Sequence, residues 1–141
     1  MIIHPRHAAV TAAAAVLVTV GVAAAQESGV RAVATVRQIM EGLIVPTSDV
    51  VFNVSDPPAD DAAWARVEQQ AALLAEGGNL LLLSAHAREG EVWGRSARAL
   101  VDGAARASAA AHAKNVDALV EASDGVYTTC VTCHEQYLPK P

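Results

Sequence analysis

The sequence predicts an all-α protein, an antiparallel up-down-up-down bundle of four helices. Three observations lead there. Apolar residues recur at alternating spacings of three and four through four separate stretches. Short polar, Pro- or Gly-containing breaks join them, as suits neighbouring helices of a bundle. No stretch alternates apolar and polar residues in the manner of a half-buried strand. The chain is also rich in alanine, the best helix former.

The first predicted helix begins after Ser28, a good N-cap, and carries Val33, Val36, Met40, Leu43, Thr47, Val50 and Val54 on one seam before Ser55-Asp56-Pro57-Pro58 ends it. Pro46 lies inside it. Having no amide hydrogen for the Gly42 carbonyl, Pro46 should kink the helix just past Met40. The second helix starts near Asp60, places Trp64, Val67, Ala71, Leu74 and Leu81 on its seam, and reaches His86 before a charged, Gly-containing break. A third runs from about Glu91 through Trp93, Ala97, Leu100, Ala104 and Ala111. Asn115 caps a fourth, with Val116, Leu119, Ser123, Val126, Cys130, Cys133 and Tyr137 on its seam and Pro139 as its stop.

The N-terminus reads as a separate, removable segment. Met1 to His7 carries Arg6, and Ala8 to Ala25 is an uncharged, mostly apolar run closing in Ala23-Ala24-Ala25, the pattern of a secretory signal peptide cleaved near Ala25. No positive flank follows to stop transfer, so residues 26–141 are expected as one exported domain, in the periplasm and with no stable membrane insertion. The chain's net charge is −5, and losing Arg6 makes it one unit more negative. With lysines and arginines scattered and no basic stripe, nucleic-acid binding is set aside. Five aromatic residues are few for a core of this size, and a large apolar cofactor would supply part of the missing bulk.

The chemistry is concentrated in Cys130-Val131-Thr132-Cys133-His134. Cys-x-x-Cys-His is the attachment signature of haem c, in which two thiols form thioethers with porphyrin vinyl groups and the imidazole binds the iron. On a helix, residues three and four apart share a face, so Cys130, Cys133 and His134 would all address one porphyrin edge. A thioredoxin-like pair belongs to a strand-and-helix domain, and no strand pattern lies nearby. Structural zinc takes four ligands, typically from two such pairs, whereas this chain has two cysteines in all.

Four helices with this motif near the C-terminus of the last one resemble the class II c-type cytochromes, the cytochrome c′ family and its low-spin relatives. The resemblance spans residues 26–141 and rests on Cys130, Cys133 and His134, with Tyr137 after them, Glu91-Val92-Trp93 opening the third helix and Arg37-Gln38 early in the first. It implies one covalent haem with His134 as the proximal iron ligand and a sixth position set by the first helix. There, low-spin relatives use a methionine, and an apolar residue leaves cytochrome c′ iron open to small gases such as nitric oxide or carbon monoxide. Met40 is the only methionine outside the leader, and in an up-down bundle it should share one end with His134. Gly42 would permit close approach to a flat cofactor. The family often places an arginine where Val36 stands, and Arg37, one residue later, is the corresponding candidate for a haem propionate. His86, beside a loop, is expected to be solvated, and His112 to lie at the far end.

The function expected is therefore non-enzymatic: a periplasmic carrier of single electrons whose partners are redox proteins of that compartment. The alternative is a gas-binding, five-coordinate relative. The pattern leaves a homodimer open.

Overall fold

The computed structural model describes residues 30–54 and 56–138; the leader, its cleavage point near Ala25 and the cap expected at Ser28 lie outside the described residues. α1 (Val36–Ile39), a π turn (Met40–Ile44) and α2 (Val45–Phe52) run on as a first helical stretch. Then come α3 (Asp61–Leu81), a 3₁₀ turn (Ser84–His86), α4 (Glu91–His112) and α5 (Val116–Tyr137). Among the described residues there is no strand, and no helix is long and apolar enough to cross a membrane.

The first stretch departs most from expectation. It begins at Val36 because Thr35 caps it: the Thr35 hydroxyl accepts from the Gln38 amide at 3.2 Å, and Gln38 Oε1 accepts the Thr35 amide at 2.9 Å. This capping box contributes roughly 1 kcal/mol. Val33, expected on the first seam, precedes the helix and is 82% exposed.

The kink expected at Pro46 takes the form of the π turn, in which the Val45 amide reaches back five residues to the Met40 carbonyl. In a straight helix Pro46 would leave the Gly42 carbonyl without a donor and crowd it with its ring, and a wider preceding turn relieves both problems. Hydroxyls supply further bonds. Thr47 Oγ1 donates to the Leu43 and Ile44 carbonyls at 2.7 and 3.1 Å, and Ser48 Oγ to Val45 at 3.0 Å. The turn moves the seam by one residue: Ile44, Ser48 and Val51 are buried beside Thr47, whereas Leu43, Val50 and Val54 are half-buried.

The other helices follow their seams, except that α3, expected to reach His86, ends at Leu81, and His86 falls in the separate 3₁₀ turn. Asp60 caps α3, accepting from the Ala63 amide at 2.8 Å, and Trp64, Val67, Ala71, Leu74 and Leu81 are all buried. Gly90 opens α4 at φ 92°, a backbone conformation that side chains disfavour, and Trp93, Ala97, Leu100, Ala104 and Ala111 are buried behind it. Asn115 caps α5 by accepting from the Ala118 amide at 3.1 Å. On α5, Leu119 and Val126 are buried, while Cys130, Cys133 and Tyr137 are half-buried.

α4 packs against both α3 and α5. Small residues bring the backbones close: a methyl added at Gly78 would lie 2.8 Å from Val101 Cγ2, and one at Gly103 2.9 Å from Val126 Cγ2. Surface pairs from Lys114 to Asp61 (2.6 Å) and from His112 to Glu68 (3.1 Å) tie the α4–α5 turn region to α3. At such exposure each is worth at most about 1 kcal/mol.

Candidate functional site

α5 brings Cys130, Cys133 and His134 to the wall of an apolar cavity of about 210 Å³. The first helical stretch contributes Met40, Ile44 and Phe52 to it, and α4 contributes Trp93, Ala97 and Leu100. A second groove, lined by Arg37, Arg88 and Tyr137, shares Met40, Trp93, Cys133 and His134 with the cavity. The four residues expected to hold the haem and its iron therefore border one space, although they come from opposite ends of the sequence.

Arg37 stands apart from the cavity and lines only the adjoining groove. Its Nε donates to Glu41 Oε1 at 2.7 Å, and its side chain is 84% exposed. An i,i+4 pair of this kind contributes about 0.3–0.5 kcal/mol. Gly42 is exposed and absent from the lining, so the close approach expected of it is not made there.

Neither cysteine is in a disulfide. Burial raises the Cys130 thiol pKa above its ordinary value and the neighbouring Cys133 adds to the rise, against a smaller lowering by a backbone hydrogen bond. Burial raises Cys133 as well. Both side chains are therefore neutral thiols at neutral pH, compatible with an apolar wall.

His86 is the clearest correction to the sequence reading. Expected to be solvated, it is 5% exposed, with Nδ1 2.6 Å from the Leu80 carbonyl oxygen and Nε2 2.9 Å from that of Ala34. Two carbonyl oxygens face the two ring nitrogens. One of them, Leu80, lies in the last turn of α3 and also accepts the Leu83 amide at 3.3 Å. His86 thus clips the segment preceding α1 to the end of α3, and both nitrogens are engaged away from any iron.

The rest of this end is bonded as closely. Trp93 Nε1 donates to the Leu81 carbonyl at 2.9 Å. The Tyr137 hydroxyl accepts from the Trp93 amide at 3.0 Å and donates to the Glu89 carbonyl at 2.9 Å, with the two rings edge to face at 5.3 Å. The loop before α4 is thereby fixed to the ends of α3 and α5. Arg88 lies over the Trp93 ring at 5.3 Å, and its Nη1 donates to the His86 and Ala87 carbonyls, each at 3.1 Å. Phe52 and Tyr127 meet edge to face at 6.0 Å on the cavity lining.

The sequence reading missed Arg88, Phe52 and Tyr127. Arg88 had one available signal, a cation in the loop that leads to the same end of the chain's helices as the cysteine motif. Phe52 had none, because the seam expected of a straight helix passes beside it.

The chain matches no family model, curated protein or solved structure.

Proposed function

We propose that the chain is a periplasmic electron carrier of class II cytochrome c type, an antiparallel up-down-up-down bundle with one covalent haem c. The observation that carries this reading is the meeting of Cys130, Cys133, His134 and Met40 at one apolar cavity. The residues present fit such a group: small α4 side chains leave space beside the motif, and aromatic rings offer flat apolar surface. The adjoining groove adds two arginines at its rim.

In this reading the Cys130 and Cys133 thiols would hold the group as thioethers, and the His134 imidazole and the soft Met40 thioether would be its iron ligands, the latter favouring the reduced state. Bound in this way, the haem supplies a one-electron couple whose two oxidation states differ little in structure. The chain's own task is to hold both ligands, exclude water with Phe52, Trp93 and Leu100, and place Arg37 and Arg88 where propionates reach solvent. Partners are redox proteins of the periplasm, met after export directed by the leader.

Haem staining of a denaturing gel tests the assignment. The exported wild-type chain should retain stain, and Cys130→Ala combined with Cys133→Ala should lose it completely. A folded, exported wild-type chain without stain would end the cytochrome reading.

A further inference from the structure

We propose that the π turn at Met40–Ile44, held in that form by Pro46, is the device that positions the Met40 side chain at the cavity. This rests on the reading of Met40 as the sixth iron ligand and adds how the chain delivers it.

The lining residues set the phase. Met40, Ser48 and Phe52 all border the cavity although they fall in one continuous helical stretch. In an uninterrupted α-helix each residue advances about 100°, so the twelve-residue step from Met40 to Phe52 ends about 120° out of line, and the eight-residue step to Ser48 about 80°. A π turn absorbs one extra residue without adding its rotation, removing about 100° from both differences. Met40 then comes within about 20° of Ser48 and of Phe52. A straight helix would place Met40 in phase with Val51, which is fully buried and does not line the cavity.

Pro46 supplies the cause. Straightening would set its ring against the Gly42 carbonyl and return no hydrogen bond, so the α register is penalised at this one place. Pro46 is exposed and touches neither the cavity nor the groove, as expected of a residue that acts through backbone register. Gly42 sits inside the π turn, with nothing within 4 Å of a methyl built on it. It can be removed without emptying a packed position.

The experiment uses the full haem-loaded chain. Met40→Leu is the control, and loss of the far-red sulfur-to-iron charge-transfer band in it establishes the ligand. Pro46→Ala should then retain covalent haem, lose or weaken that band, and admit carbon monoxide to the reduced iron. Deleting Gly42 in the Pro46→Ala background removes the extra residue, lets the helix run straight with its flanks in phase, and should restore both the band and resistance to the gas. A wild-type band in Pro46→Ala would overturn the inference. So would failure of the deletion to restore it, or loss of haem from Pro46→Ala, since the substituted residue lies outside the cavity. A band that survives Met40→Leu would instead remove the ligand reading, and this inference with it.

Discussion

α4 borders a cavity along its first half and closes tightly on its neighbours along its second. Toward its N-terminus Trp93, Ala97 and Leu100 stand around open space, whereas Ala104, Ala107 and Ala111 are essentially without solvent contact. Both halves use alanine, so composition does not separate them. The difference lies in what faces them. Around the second half, Ala71 and the glycine at 103 let backbones approach until little space remains. Around the first, the large side chains of Met40, Phe52 and Trp93 and the stitched ends of α3 and α5 hold the walls apart. A helix bundle of this size can thus keep a hollow without losing its core, provided that one end is shut closely.

One substitution made in both halves should separate them. Ala97→Leu fills the cavity, so haem retention should fall sharply while the haem-free chain keeps its helical content; quantitative haem staining beside circular dichroism reads both. Ala107→Leu has no space to enter and should cost about 1–3 kcal/mol in denaturant unfolding while haem binding persists. Equal retention of haem in the two variants would remove the contrast.

A smaller effect belongs to the walls. His86→Ala removes the ring from the Ala34 carbonyl and leaves Leu80 with its backbone donor alone, and should destabilise the chain by roughly 1–3 kcal/mol. Hydrogen exchange should quicken first in α1 and at the end of α3. A uniform loss of protection over the whole bundle would mean that His86 is not a local clip.

The buried seams read for α3 and α4, the start read near Asp60 and the cap read at Asn115 are those of the structure, because nothing in those helices interrupts a regular turn, although α3 ends at Leu81 short of the expected His86. The first stretch was legible only in part: Val33, read on its seam, is exposed before the Thr35 cap, and from the end of the π turn onward Ile44, Ser48 and Val51 are buried where Leu43, Val50 and Val54 were expected. Of the candidate site residues, Cys130, Cys133, His134 and Met40 line one cavity, as their expected meeting requires. The burial of His86 was not legible: its two acceptors lie 6 and 52 residues away in the sequence, and only the folded loop brings them together.

The smallest expected effect concerns the thiols before haem attachment. Burial holds both above the ordinary thiol range near about 8.5, so the folded haem-free chain favours the protonated forms. The resulting stability is fully present below the unfolded thiol pKa and is lost as pH rises through the folded values. Iodoacetamide should accordingly modify Cys130 and Cys133 more slowly in the folded chain than in urea at the same mildly alkaline pH. Equal rates would show that the cavity wall does not shield them.

The proposal stands on one space in which His134 and Met40 would both serve as ligands of a haem iron. The optical spectrum of the reduced, haem-loaded protein before and after addition of carbon monoxide at neutral pH tests it most directly. With the Met40 thioether held on the sixth site at high effective concentration, the wild-type spectrum should stay unchanged over a time in which Met40→Ala converts fully. Rapid, tight binding of the gas by the wild type would contradict the account and identify a gas-binding protein with an open iron.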